Sequence, residues 1–285
     1  MPKVMVRRLS QLANRVFSTP AGVFTLLVLL AVVVLSVFAP LLAPRAPNLT
    51  ELEQSLQGPS WQHWLGTDKF GRDVCSRMVY GARVSLLVGL ISQSISLVIG
   101  VILGSVAGYF KGWIDGVVMG VVQVVWAFPS LLFVIAITLA LGPGIITVYI
   151  AVALVSWVGV ARIVRGQYFV EREKSYVLAL RARGVSNGRI MFKHILPNTM
   201  SPVIVVVSLG FAGAIVAEAG LSFLGLGVQP PDPSWGSMLK DGYAYFSTAW
   251  WVALFPGLAI TLTVLAFNLL GDRLREVLDP KALKT

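Results

Sequence analysis

Charge is scarce in this chain. Of 285 residues only 13% are Asp, Glu, Lys or Arg, about half the share that a soluble domain uses to face water. A water-facing globule of this size cannot be coated at that density, so a membrane-embedded protein is the default. Cysteine is nearly absent, and the single Cys75 excludes an intramolecular disulfide framework and a multi-cysteine zinc site. The only two histidines, His63 and His194, are far apart in the chain, so a metal-ligand cluster is hard to assemble. No Gly-x-x-x-x-Gly-Lys-Ser/Thr run occurs, so nothing here can cradle ATP phosphates. The net charge of +10 does not indicate nucleic-acid binding. The basic residues sit in short segments between apolar runs, which is the pattern a bilayer imposes, and are not gathered on a polar domain.

What the chain has in abundance is apolar length. It is 56% hydrophobic, with a mean hydropathy of +0.79. Crossing ~30 Å of hydrocarbon takes about 20 mostly apolar residues in a helix, because every backbone polar group must be satisfied internally. Six stretches qualify: 22–42, 84–110, 116–141, 145–164, 199–221 and 250–270. The first follows a basic segment but is too long for the apolar core of a secretory signal, and no small-residue cleavage site follows it cleanly, so it reads as a retained anchor. The expected class is an all-α membrane protein with six transmembrane helices. Its parts are an N-terminal segment 1–21, a first helix 22–42, a loop 43–83, a five-helix core 84–271 and a tail 272–285. With both termini on the cytoplasmic side, 17 of the 23 basic residues fall on inner segments and 6 on outer ones, as the positive-inside tendency asks.

The connections are unequal. Gly142-Pro143-Gly144 makes a tight outer turn, and Lys111 and Asp115 mark a short inner link. Residues 43–83, 165–198 and 222–249 are long, and long ordered loops usually do work. The inner loop 165–198 predicts helices over 171–183 and 188–195, broken at 184–188, with Pro197 stopping the second one. Such a unit suits docking on another protein. Tyr176, Val177, Leu180, Ile190, Met191 and Ile195 are expected to insert, ringed by Arg181, Arg183, Arg189 and Lys193. A positively charged loop that only fixes topology is the alternative.

The same loop resembles a known one. Ala179, Gly184 and Leu196-Pro197 fall at the spacing of the EAA loop of prokaryotic ABC importer permeases. The motif's Glu-Ala-Ala reads Leu178-Ala179-Leu180 here, and His194 replaces its isoleucine. Residues His63 to Asp73 (HWLGTDKFGRD), then Ser76-Arg77 and Gly81 to Leu86, resemble the region before the second span of dipeptide, oligopeptide and nickel permeases. Leu221 to Gly227 with Pro230-Pro231 and Ser234-Trp235-Gly236, and the ending Phe255-Pro256-Gly257, Gly271-Asp272 and Leu278-Asp279-Pro280, are similar to the same group. The resemblance covers roughly 20–282 and is to the C-type permease subunit.

It implies a type I ABC importer permease fold with an N-terminal extra helix, in a bacterial or archaeal cytoplasmic membrane. It also implies a second, homologous permease, two ATPase subunits that carry ATP and Mg, and an external substrate-binding protein received by the outer loops. This chain itself would hold no cofactor and catalyse nothing. The loop would couple to the ATPases through Tyr176, Ala179, Leu180, Arg181, Arg183, Gly184, Arg189, His194 and Pro197. Peptide is the expected cargo, with nickel or another small solute as the alternative.

Pathway residues are sought in the spans. Gly100, Gly104 and Gly108 recur every four residues and permit close helix packing. Pro129 lies in the third stretch, where a kink is expected. Ser92, Gln93, Ser94, Ser96 and Gln123 are candidate cavity-facing groups. Glu218, the only charged residue deep in a span, must face protein or water. It is read either as an outer-gate or substrate contact or as the partner of Arg72, Arg77 or Arg83. Ser76 to Ser85 are expected to lie as an amphipathic segment along the membrane surface. An intramembrane enzyme would need a nucleophile and base at membrane depth, but both histidines lie in loops and no span holds an aspartate pair. A channel or self-sufficient transporter would rest on Glu218 alone.

Overall fold

The computed structural model describes residues 16, 17 and 19–278; the basic residues before Val16 and the end of the Leu278-Asp279-Pro280 match lie outside these residues. The described residues are mostly helical. We label the principal helices α1 (Pro20–Val37), α2 (Val74–Phe110), α3 (Gly112–Ala127), α4 (Ser130–Leu141), α5 (Ile145–Glu171), α6 (Ser175–Ala182), α7 (Leu196–Phe223), α8 (Trp235–Tyr243) and α9 (Trp251–Leu278). Five are long and apolar enough to cross a membrane: α1, α2, α5, α9 and the run Asn187–Phe223 that contains α7. The pair α3 and α4 makes the sixth, bent by 94° at its break. Six crossings therefore hold, but the third is not a kinked rod. Phe128 (φ −96°, ψ 141°) and Pro129 (φ −55°, ψ 125°) are both out of the helical region. Proline disfavours a helical predecessor, so the helix ends where a kink was expected.

α2 is 37 residues long, about 55 Å at 1.5 Å per residue, far more than a bilayer core requires. It starts at Val74 because Asp73 caps it, accepting from the Ser76 N–H at 2.8 Å and from the Ser76 hydroxyl at 2.8 Å. Ser76 to Ser85 thus form the first turns of a crossing helix and do not lie along the surface. With no breaker between 74 and 110, the backbone gains more by continuing than by turning.

The α2 and α5 helices make the most intimate pair in the fold. Gly100 rests on Val160 and the Trp157 carbonyl, Gly104 on the Ala161 carbonyl, and Gly108 on Tyr168 and the Arg165 carbonyl. Two serines continue the line: the Ser92 hydroxyl donates to the Tyr149 carbonyl at 3.1 Å and the Ser96 hydroxyl to the Ala153 carbonyl at 3.2 Å. Small residues every four positions let the backbones approach, and the hydroxyls use the neighbour's carbonyls. Packing within the subunit is therefore what this stripe does.

Residues 43–73 fold into a cap over one end of the bundle. Its centre is a buried polar cluster. Asp68 accepts from the Phe70 and Arg72 N–H groups and from Arg72 Nε at 2.6 Å, with Arg77 Nε 3.6 Å away. His63 Nδ1 meets Asp73 at 2.9 Å and its Nε2 meets Gln54 Oε1 at 2.5 Å, so His63 is a loop hydrogen-bonder. Trp251 Nε1 donates to the Thr67 carbonyl at 3.2 Å, Trp235 Nε1 to the Met78 carbonyl at 3.0 Å, and Lys69 pairs with Asp241 at 2.9 Å. The cap, the segment 224–249 and the start of α9 are thereby one layer. The opposite end carries α6.

Candidate functional site

The α6 unit hangs between α5 and α7. α5 runs seven residues past the expected end of its span, to Glu171, and Arg172 to Lys174 turn the chain. α6 then ends in a Schellman motif: the Val185 N–H returns to the Leu180 carbonyl at 3.1 Å and the Gly184 N–H to the Arg181 carbonyl at 2.9 Å. Gly184 sits at φ +71°, the left-handed conformation in which glycine carries no Cβ penalty. The expected break is there, but Pro197 does not stop the next helix. Ile190–Ile195 form a π-helical turn, and the Leu196 N–H reaches the Met191 carbonyl. That one-residue widening places Pro197 in the first turn of α7, where its missing N–H costs least, and Asn198 Nδ2 supplies a donor to the His194 carbonyl at 3.0 Å.

The face that α6 offers is not the one expected. Val177, Ile190, Met191 and Ile195 are buried in this chain's own core with Tyr109, Val164, Tyr168 and Val203, and Tyr176 and Leu180 pack against that core. The Tyr168 hydroxyl donates to the Met191 carbonyl at 2.9 Å, and the Tyr176 hydroxyl to Glu171 at 2.8 Å. These six apolar residues hold the loop to its own helices and do not project toward a partner, because an apolar stripe this close to α2 and α5 is buried by them first. Arg181 is held inward as well, its guanidinium 4.9 Å from the Tyr109 ring centroid. The exposed face is instead Leu178 (48% exposed), Ala179, Ala182, Arg183 and Gly184, with Arg189 and Pro197 also open and His194 half-buried. Beside it, the Lys111 ammonium hydrogen-bonded to Glu173 at 3.1 Å holds that carboxyl below the usual carboxylate range.

The second feature is a groove of about 700 Å³ between α3, α4, α5, α7 and α9. Val125, Val152, Val155, Leu209 and Val216 make its walls, and Ser130, Ser156 and Asn268 are its polar groups. The bend at Phe128-Pro129 borders it, with Phe128, Ser130 and Leu131 in its lining. An adjoining cavity of about 400 Å³ is lined by Gln123, Trp126, Arg162 and Arg165. Of the expected pathway residues, Gln123 faces this cavity and Pro129 forms the break that borders the groove. Gln93 and Ser96 do neither. Gln93 is buried against Gly210 of α7, Ser96 is bonded to α5, and Ser94 returns its hydroxyl to the Leu90 carbonyl at 2.6 Å.

Glu218 is fully buried and has no arginine partner among the described residues. Arg72 and Arg77 are engaged with Asp68, and Arg83 is exposed. Its Oε1 accepts from the Ser222 hydroxyl at 2.7 Å, and the Ser222 oxygen accepts the Val228 N–H at 3.2 Å. Glu218 therefore braces the turn after α7 against the helix end. Trp126 and Arg162, which meet across the cavity, were not singled out by sequence; the i+3 step from Gly159 to Arg162 on one face of α5 was the available signal.

The family described as the binding-protein-dependent transport system inner membrane component matches residues 100–284. The chain belongs to that family. Among curated relatives, it is 46% identical to a dipeptide transport system permease protein of Alkalihalophilus pseudofirmus, over 90% of this chain and 84% of the relative. It is 45% identical to a di/tripeptide transport system permease protein of Pseudomonas aeruginosa, over 90% of this chain and 86% of the relative. It is 47% identical to a glutathione transport system permease protein of Salmonella typhimurium, over 88% and 84%. Among solved structures, a chain of the MetNI methionine ABC transporter in inward-facing conformations superposes with a TM-score of 0.56 at 18% identity, covering 70% of this chain and 95% of that one. That likeness establishes the type I importer permease fold. The chain is thus a multi-pass membrane permease component of an ABC-type transport system.

Proposed function

We propose that this chain is one of two homologous permease subunits of an importer that carries di- and oligopeptides across a bacterial cytoplasmic membrane, with ATP hydrolysed on partner subunits. The observation that carries the substrate class is the identity of 45–47% along nearly the whole chain with relatives named for dipeptides, di/tripeptides and glutathione. Glutathione is itself a tripeptide, and none of these three relatives is named for nickel.

In this reading the α6 end and both termini face the cytoplasm, supported by the excess of basic residues on those segments. α6 then lies where a soluble ATPase can reach it. In this reading Leu178, Ala179 and Ala182 provide an apolar patch, Arg183 a rim charge, and Gly184 the stop that fixes the helix length. α6 is tied to α5 by the Tyr176–Glu171 bond and by the shared core, so a displacement of the ATPases moves α5 and α2 together. The groove between α3–α4, α5, α7 and α9 is this subunit's half of the pathway, closed by the second permease. On the far side, exposed Trp61 (97%), Trp64 (63%) and Tyr243 (72%) give the cap layer an aromatic surface for a substrate-binding protein.

Reconstitution tests the proposal. Proteoliposomes holding this chain, its second permease and ATPases should accumulate a labelled dipeptide when ATP and the binding protein are supplied, and nickel should not compete. Accumulation of nickel in place of peptide would refute the substrate class. Peptide uptake without ATPases would refute the division of labour.

A further inference from the structure

Arg162 is a cation at a cavity, with no ion pair among the described residues. On α5 the groove is lined by Val152, Val155, Ser156 and Gly159, and the next residue on that face is Arg162, which lines the adjoining cavity with Gln123 and Trp126. Trp126 borders both spaces. One turn further, Arg165 is matched: its Nε and Nη2 fork onto Asp115 at 2.5 and 2.6 Å. Arg162 has no ion pair or hydrogen bond among the described residues. Its guanidinium lies over the Trp126 ring, 3.8 Å from the centroid.

The position is specific. At 1.5 Å per residue, Arg162 and Asn268 each lie about 26 Å along their helices from the cap end. Asn268 is thus at the cytoplasmic end of the groove, and Gln123 and Arg162 line the cavity that adjoins it. Arg162 lies near the cytoplasmic end of α5 and is exposed, so an anion leaving the groove can reach its guanidinium. Stacking on indole holds the guanidinium plane and leaves its edge N–H groups free for a bidentate acceptor, and a carboxylate fits that fork. The cavity beside Arg162, about 400 Å³, suits a small ligand, for which pockets of about 300–1,000 Å³ are usual.

We propose that Arg162, oriented by Trp126 and flanked by Gln123, binds the C-terminal carboxylate of a peptide at the cytoplasmic end of the pathway. This rests on the peptide-importer reading above. The site selects cargo with a free terminal carboxylate and holds it in the last step before release.

The test uses the whole transporter, with its second permease, ATPases and binding protein, in phosphatidylcholine vesicles and in the same vesicles with phosphatidylglycerol added. Uptake of one dipeptide is compared with that of its C-terminal amide, using a sequence that the binding protein holds in both forms. Wild type should import the free acid about tenfold faster, the worth of one charge-assisted bidentate contact. Arg162→Gln should bring the two forms within about twofold through loss of the free-acid rate. Arg162→Lys should retain part of the preference, and the affinity of the separate binding protein for both forms should not change. An unchanged ratio in Arg162→Gln, or an equal loss on both forms, would overturn the site. An effect seen only with phosphatidylglycerol would assign Arg162 to a lipid headgroup and overturn it too. A wild type that imports neither form would refute the peptide reading itself, which is a different outcome from a wild type that imports both.

Discussion

The sharpest structural prediction concerns Gly104. A Cβ placed there would lie 2.5 Å from the Ala161 carbonyl oxygen and 2.9 Å from Val164 Cβ, against an ordinary lower contact limit of 3.4 Å. The obstacle is backbone, which cannot rotate away, so Gly104→Ala forces α2 and α5 apart by nearly 1 Å. Overpacking of this kind costs about 2 kcal/mol. The Ser96–Ala153 bond, already 3.2 Å long, and the Ser92–Tyr149 bond at 3.1 Å lie on the same stripe, and losing one costs about 1 kcal/mol more. Alanine's better helix propensity returns about 1 kcal/mol. The net, about 2 kcal/mol, corresponds to a fall of about 4–8 °C in melting temperature for a chain of this size. Gly116→Ala is the control, because nothing lies within 4 Å of its Cβ, and it should melt at or slightly above wild type. Thermal unfolding of the purified chain, followed by tryptophan fluorescence, measures both. The reasoning fails if Gly104→Ala melts with wild type, or if Gly116→Ala falls as far.

Three other substitutions probe separate parts of the structure. Asp68→Asn leaves buried Arg77 without its carboxylate and Arg72 with only Asp241 at 3.9 Å and should cost about 3 kcal/mol of stability; Glu51→Gln, which breaks the half-exposed Arg45 pair, should cost under about 1 kcal/mol in the same melt. Glu218→Gln keeps an acceptor for Ser222 and should hardly change hydrogen exchange in residues 224–234, whereas Glu218→Ala should speed it by removing a bond worth about 1–3 kcal/mol. Gly184→Ala has open space around it but must adopt φ +71°, so about 1 kcal/mol is lost at the end of α6; peptide imported per ATP hydrolysed should drop while folding survives.

Much of the architecture was legible because lipid is a simple solvent. Long apolar runs mark the crossings, and Gly184 marks the helix stop by its own conformational freedom. What composition could not give was the identity of the surface each stripe meets. Tyr176, Val177 and Leu180 form an apolar face that reads identically whether it covers this chain's core or a partner's groove, and proximity to Tyr109 and Tyr168 decided for the core. The polar residues of α2 looked like cavity lining because a serine in a span must bond something. Ser92 and Ser96 found carbonyls of α5, an option visible only once the glycine stripe had brought that helix close. Pro197 read as a stop because a π-turn six residues long has no sequence signature of its own. Pro129 was placed correctly, but whether a proline bends a helix or ends it depends on the packing beyond it, here the groove that the break borders.

Site-directed cross-linking tests the coupling account most directly. In a chain with Cys75 replaced by serine, single cysteines at Leu178 or Ala182 on the open face, and at Val177 or Ile190 on the buried one, are assembled with the ATPases and treated with a short bifunctional reagent. The account predicts cross-links from Leu178→Cys and Ala182→Cys, weakened or strengthened by ATP, and none from Val177→Cys or Ile190→Cys. ATPases that join this chain only through positions outside 171–198 would contradict it.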